Sequence, residues 1–148
     1  MRLAHLSKTM RPRRSYRDRM TKGTSTATVA SWDEKPYDEA PDTSGTAEAH
    51  ITYTYEGALT GEGRARLLMA YSGQEAEFVG MERLTATLDG RSGTFVTSQT
   101  GSFHDGVARW TWQVVPGTAT GELAGLRGSG SGEAPMGNKA TLTFEYEL

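Results

Sequence analysis

The sequence contains no cysteine, and this absence excludes several kinds of chemistry. Its 148 residues can form no disulfide framework, no thiol nucleophile and no cysteine-based zinc site. No apolar run approaches the roughly 18 residues that a membrane-spanning helix needs. We therefore expect a cytoplasmic protein that does not contact a membrane.

Histidine is also scarce, which limits metal binding and acid–base catalysis. The three histidines, His5, His50 and His104, are scattered, and no two have the spacing of metal ligands. No G-x-S-x-G motif marks a serine nucleophile, and the Gly-Glu-Gly stretch at 61–63 precedes a strand, so it is not a phosphate loop. We expect neither a metal nor a cofactor.

Positive charge is scarce outside the first 19 residues. Met1–Arg19 holds seven of the 16 Lys and Arg residues and one acid, which leaves nine basic and 17 acidic residues, a net charge of −8, in Met20–Leu148. This disfavours nucleic-acid binding. We expect residues 1–19 to be a disordered basic extension, or a start codon assigned too early with Met20 as the true start; a basic arm for an acidic partner is the alternative. Residues 20–148 are predicted to form one domain.

Glycine, serine and threonine are abundant, and they favour short strands over helices. No stretch of helical length has a 3.6-residue period, whereas apolar residues alternate in most segments. The predicted strands cover 24–31, 50–57, 61–71, 78–88, 93–103, 107–115, 122–132 and 140–148. Eight antiparallel strands, each with one apolar face, are typical of a closed barrel. We expect glycines 125, 128, 130 and 132 to let the seventh strand bend where the barrel closes.

The acidic stretch after the first predicted strand invites a cation-site interpretation. Trp32–Glu39 contains four acids, but their spacing matches no known calcium loop. We expect instead a solvated loop that continues to Gly45, with Trp32 and Tyr37 packed against the domain.

Two Asp-Gly pairs, Asp89-Gly90 and Asp105-Gly106, fix three consecutive strands in register. Asp-Gly between alternating apolar runs is the strongest local signal for a two-residue hairpin turn. The first turn predicts the pairs Leu84 with Phe95, Glu82 with Thr97, Gly80 with Gln99 and Phe78 with Gly101. The second turn predicts Gly101 with Trp110, Gln99 with Trp112 and Thr97 with Val114. Both turns place the same residues on one face.

That face is mostly apolar, with one small group of polar side chains. The large apolar residues of this parity are Phe78, Leu84, Leu88, Phe95 and Phe103. Glu82, Thr97 and Gln99 share the parity and lie beside Trp112, below space left by glycines. A buried carboxyl must be paired, hydrated or protonated, so we expect its pKa to be raised.

We predict a ligand pocket around this group, with Glu82 as general base or hydrogen-bond anchor. The predicted ligand-contacting residues are Thr97, Gln99, Trp110, Trp112, Phe78 and Phe95. Tyr71 is a second candidate catalytic residue, because its parity brings a phenol to the barrel mouth; an ordinary core role is the alternative. For Glu82 the alternative is a structural pair with an inward arginine or a tyrosine hydroxyl, or a register slip that exposes it. Arg83 has outward parity and is excluded as that partner.

Four motifs resemble a known bacterial family in their order and spacing. They are SWDEKPYDE at 31–39, LLMAY at 67–71, FVGMERLTATLDGRSGTFV at 78–96 and GTATGELAGLRGSG at 117–130. On these the chain is identified as a member of the domain-of-unknown-function 3224 family. The resemblance implies an antiparallel barrel like that of allene oxide cyclases and dirigent proteins, able to enclose an apolar ligand. It does not imply the cyclase reaction.

The resemblance also implies one departure at the predicted site. Members of the family often have a histidine where this chain has Gln99, beside the equivalent of Glu82. An acid–base pair is then reduced to an acid and an amide, which counts against proton shuttling.

Three functions follow as hypotheses. The first is a barrel that binds a small apolar or amphipathic molecule in a cavity of about 300–1,000 Å³ reaching Glu82, Gln99 and Trp112. The second is an isomerase or cyclase with Glu82 as base and Tyr71 or Gln99 stabilising developing charge. The third is a homo-oligomeric scaffold with a solid interior, which predicts an apolar patch on the outer sheet.

Overall fold

The computed structural model describes residues 19–38, 45–135 and 137–148, and it is a closed antiparallel barrel of eight strands. The strands are β1 (Thr21–Asp38), β2 (Thr46–Gly57), β3 (Leu59–Ser72), β4 (Glu75–Leu88), β5 (Arg91–His104), β6 (Val107–Val114), β7 (Arg127–Pro135) and β8 (Lys139–Glu147). They follow sequence order, and β8 pairs with β1. In these ranges no helix is long and apolar enough to cross a membrane. The predicted extension at 1–19 lies, except for its last residue, outside the described residues.

Both Asp-Gly turns have the backbone geometry that the sequence predicts. Asp89 and Gly90 have φ of 53° and 73°, and Asp105 and Gly106 have φ of 52° and 77°, as a two-residue hairpin turn with positive φ at both positions requires. All seven predicted pairs across β4, β5 and β6 are present. The predicted register and the inward face are therefore confirmed.

The seventh strand begins later than predicted, at Arg127. Gly121–Leu123 instead forms a short 3₁₀ helix, because Gly121 and Gly125 take positive φ and interrupt the extended backbone. Leu123 and Leu126 are buried in the core. The loop therefore seals one end of the barrel, the lower end, where β4 finishes.

Hydrogen bonds hold this sealing loop against β5. The backbone N–H of Val96 donates to Thr118 Oγ1 over 3.1 Å, and that of Thr94 donates to Thr120 Oγ1 over 3.2 Å. These bonds satisfy β5 backbone donors beyond the end of β6, which would otherwise lack partners.

The first strand is longer than predicted. The prediction of a loop after Ser31 is wrong for residues 32–38, which belong to the strand. β1 continues to Asp38, and Trp32 and Tyr37 are 49% and 57% exposed rather than packed down. Beyond Thr28 the strand pairs with β2 alone, so it is an edge strand, where Pro36 is tolerated because no ladder donor is lost. The rest of the predicted loop, residues 39–44, lies outside the described residues.

A bulge sets the direction of the β1 extension. The register with β2 shifts between Val29 and Ser31, so that Trp32 lies opposite the buried Ile51 and Glu34 opposite the buried Ala49. Trp32 and Glu34 therefore lie on the inner face of the sheet, above the upper end of the barrel.

The core is divided into two apolar clusters along the barrel axis. The lower cluster includes Leu84, Phe95 and Phe144, and the upper one includes Leu67 and Phe78. Rings of two half-buried residues, Tyr53 and Trp110, pack against both clusters. The predicted polar group lies at the boundary between them.

The glycines of β7 have a packing role. A Cβ at Gly132 would collide with the indole of Trp110, and one at Gly130 with the indole of Trp112. The inner face of β7 thus lacks side chains at these positions because tryptophans of β6 fill the space.

The outer face of β3 and β4 exposes apolar side chains. Leu68 and Val79 are paired across the two strands and each is 49% exposed, and Met81 is 57% exposed. An outer patch of this kind is what the scaffold hypothesis predicts; homo-oligomer formation stays a prediction.

Candidate ligand site in the barrel

Glu82 is buried at the centre of the barrel and has a tyrosine partner. Its side chain is 5% exposed, and the hydroxyl of Tyr55 donates a hydrogen bond to Glu82 Oε2. Gly63 makes room for the pair, since a Cβ there would collide with the carboxylate and with the Tyr55 ring. Of the alternatives left open by the sequence, the tyrosine hydroxyl is therefore the partner, and Arg83 points outward as predicted.

Burial makes the carboxyl of Glu82 a weaker acid than an ordinary glutamate. Loss of hydration raises its pKa to about 7, against the opposing effect of the Tyr55 hydrogen bond. The pKa values of Tyr53 and Tyr55 are raised, first by burial and then by the negative charge of Glu82. Both phenols therefore stay protonated near neutral pH, where Glu82 changes its charge.

The polar group predicted from the sequence encloses a small space. Glu82, Thr97, Gln99 and Trp112 all line a cavity of about 30 Å³, large enough for one or two water-sized groups. The Trp112 Nε1–H is buried and has no hydrogen-bond acceptor among the described residues. The inner space is thus lined by a tryptophan with an unused donor and by a carboxyl of raised pKa.

A larger cavity of about 320 Å³ lies above it, at the upper end of the barrel. Its lining includes Trp32, Tyr53, Phe78, Gln99, Phe103 and Trp110. The volume is within the range of small-molecule sites. Because the loop after β6 seals the lower end, the cavity is reached from the upper end.

The prediction of one large cavity reaching Glu82, Gln99 and Trp112 is wrong. Tyr53, Gln99 and Trp110 line both spaces, so they lie between the two, and only Gln99 of the predicted trio borders the upper cavity. The reason is that the space expected above the inward glycines is occupied: a Cβ at Gly80 would collide with Leu67, and one at Gly101 with Phe78.

Tyr71 lies at the upper end, as predicted, but away from Glu82. Its hydroxyl donates to Glu34 Oε1 over 2.7 Å, across β2. Glu82 pairs with Ala65 on β3, six residues before Tyr71, which corresponds to about 20 Å along the strand. The two candidate catalytic residues are therefore not brought together.

The other predicted contacts divide between the two spaces. Phe78 and Trp110 line the upper cavity, whereas Phe95 lies below with the inner space. Tyr53, Tyr55 and Trp32 also line these spaces, although none of them was among the predicted site residues. The alternation of β2 contained a signal for the two tyrosines, but without an Asp-Gly turn between β2 and β3 their height in the barrel was not fixed.

Comparisons with known proteins bear on the family and the architecture. A family model described as a protein of unknown function (DUF3224) matches residues 23–146. A crystal structure of a DUF3224-family protein of unknown function from Shewanella oneidensis MR-1 is similar, with 25% sequence identity, a TM-score of 0.69, and coverage of 86% of this chain and 96% of that one. No curated protein matches the chain. The likeness to allene oxide cyclases stays a prediction.

Proposed function

The chain belongs to the DUF3224 family of proteins of unknown function, and from that premise we propose that it binds a small apolar or amphipathic molecule in the upper cavity. The observation that carries the proposal is a cavity of about 320 Å³ in a barrel sealed at its other end. A ligand entering it exchanges water for aromatic and aliphatic contacts, which is favourable in proportion to the apolar area buried.

A polar side chain at the bottom of the cavity indicates that the ligand is amphipathic rather than a pure hydrocarbon. Gln99 is 8% exposed and borders the cavity from below, where its amide can donate and accept hydrogen bonds. A few polar groups among apolar walls are the usual arrangement by which pockets orient a ligand. Gln99 would orient a polar group of the ligand, while Phe78 and Trp110 contact its apolar part.

Filling part of the cavity should weaken binding without unfolding the barrel. Ala134 is half-buried in the cavity wall, and we expect Ala134→Leu to weaken binding of the neutral fluorescent probe N-phenylnaphthylamine by about tenfold or more, because the added carbons occupy ligand space. The control is Ala70→Leu, the same change at an exposed position of β3. Fluorescence titration gives both dissociation constants, and an equal effect of the two changes would contradict the proposal.

A second candidate function, an isomerase or cyclase, is favoured by the raised pKa of Glu82. A carboxyl with a pKa of about 7 is a better proton acceptor near neutral pH than an ordinary one. Gln99 would stabilise developing charge, because it borders both spaces, whereas Tyr71 is too far away. This candidate requires the substrate to pass between Tyr53 and Trp110, so the geometry supports it less well than simple binding.

Turnover by a carboxamide variant tests the second candidate. If Glu82 is the base, Glu82→Gln should lower turnover of unsaturated epoxides by about 10²–10⁴-fold, the usual contribution of a general base. Glu62→Gln, on the outer face of β3, should leave turnover unchanged. Equal turnover by the Glu82→Gln variant and the unmodified protein, measured by chromatography of the products, would rule out Glu82 as the base.

A further inference from the structure

Aromatic residues form much of the wall of the upper cavity. Five aromatic residues line it: Trp32, Tyr53, Phe78, Phe103 and Trp110. In the lower core, Phe144 packs on Trp112 and on Tyr146 with ring centroids 5.9 and 6.0 Å apart. No such pair occurs between two of the five cavity rings in the described part of the chain. Tyr53 does pack on Tyr55, with ring centroids 6.1 Å apart, and the indole of Trp110 lies against Gly132, so these two rings are partly occupied. Together the five rings still give the cavity an aromatic lining.

Two acids lie on the inner face of the sheet near the upper cavity. Glu34, on the β1 extension, and Glu82, below the cavity floor, are both acids. The hydroxyl of Tyr71 donates to Glu34, which holds that carboxylate in place without neutralising it. Residues 20–148 carry a net charge of −8 and the whole chain −2, so the overall charge does not oppose a cation.

One basic residue, Lys139, borders the cavity. It is exposed, and the next residue, Ala140, is the one buried on the inner face, so Lys139 has outward parity at the rim. A flexible lysine in that position keeps its ammonium group in water rather than in the cavity. It therefore does not place a positive charge inside the cavity.

From the aromatic lining of the cavity and the inward acids together, we propose that the upper cavity binds an organic cation, of which a quaternary ammonium compound is the simplest form. The inference rests on the proposed function and specifies its ligand class. Aromatic rings attract such cations electrostatically, and a cavity wall of several rings replaces the hydration that the cation loses. Glu34 attracts the cation at the entrance, and the apolar part of the ligand packs among the rings below.

The test compares three competitors of nearly equal shape. Choline, dimethylbutanol, in which carbon replaces the nitrogen, and dimethylbutanoate carry positive, zero and negative charge on the same branched body. Each is titrated against N-phenylnaphthylamine bound to the full chain at constant ionic strength. We expect choline to displace the probe at about tenfold lower concentration than dimethylbutanol, and the anion to be weakest.

Two pairs of variants show which residues cause the preference for choline over dimethylbutanol. Trp32→Leu should reduce the ratio between choline and dimethylbutanol, whereas Tyr37→Leu, an exposed aromatic of the same strand that does not line the cavity, should not. Glu34→Gln should reduce the ratio more than Asp33→Asn does. Both of these changes remove one negative charge, but only Glu34 lies on the inner face, so the comparison separates local from long-range attraction.

Failure of the cation proposal and failure of the proposed small-molecule binding give different results. If the probe binds but choline is not the strongest competitor, the cation proposal is overturned and small-molecule binding stands. If the probe itself binds no better than it does to the Ala134→Leu variant, the proposed function fails as well. A preference for choline that survives both Trp32→Leu and Glu34→Gln would also overturn the proposed recognition.

Discussion

The free energy of unfolding is expected to fall by about 3 kcal/mol as the pH rises from about 4.5 to above 7, through the titration of Glu82 alone. Burial raises the pKa of this carboxyl from an ordinary 4.5 to about 7 in the folded chain. The folded state therefore binds the proton more tightly than the unfolded state. The resulting stabilisation is complete below the unfolded pKa and is lost as the pH rises through the folded pKa.

Glu82→Gln removes this pH dependence. The amide oxygen can still accept the hydrogen bond from Tyr55, but it never acquires the buried charge. Urea unfolding midpoints at about pH 5 and about pH 8 should then differ less in the variant than in the unmodified protein. Glu62→Gln removes a carboxylate from the outer face and serves as the control. If the variant had the same pH dependence as the unmodified protein, the carboxyl of Glu82 would have an ordinary pKa in the folded chain, and the prediction would be wrong.

Gly132→Ala should destabilise the barrel by about 1–3 kcal/mol and also weaken binding in the upper cavity. A Cβ at position 132 falls on the indole of Trp110, a rigid ring bounded by both core clusters, so the ring has to move. Because Trp110 lines the upper cavity, its displacement alters the binding walls too.

The control for Gly132 is its neighbour on β7. Ser131 is exposed on the opposite face of the strand, and Ser131→Ala should change the unfolding midpoint little. Thermal unfolding and titration with N-phenylnaphthylamine, done on both variants, measure the two effects. Equal midpoints and equal probe affinities for the two variants would mean that Trp110 is not held by Gly132.

The sequence was most informative where local chemistry fixes long-range geometry. Asp89-Gly90 and Asp105-Gly106 permit one kind of turn, and each turn sets the register of a whole hairpin. The burial of Glu82, Thr97 and Gln99 follows from that register by counting residues. These features could be predicted because the distance in sequence between cause and effect was short.

Other features depended on contacts that no local pattern records. Tyr55 reaches Glu82 from β2, two strands away, at a height set by the pairing of the whole sheet. Trp32 lies over the cavity because β1 extends beyond the end of its partner β8 and contains a bulge. The volume of the cavity depends on how the side chains of Leu67 and Phe78 fill the space left by glycines, and only packing in three dimensions decides that.

The order of the strands also determines where folding is slowest. Seven of the eight pairings join strands that are neighbours in sequence, whereas the pairing of Thr21 with Tyr146 brings together nearly opposite ends of the chain. Hairpins with tight turns form in microseconds, but this one pairing carries the loop-closure entropy of almost the whole domain. The barrel therefore concentrates the topological cost of folding in the seam between β1 and β8.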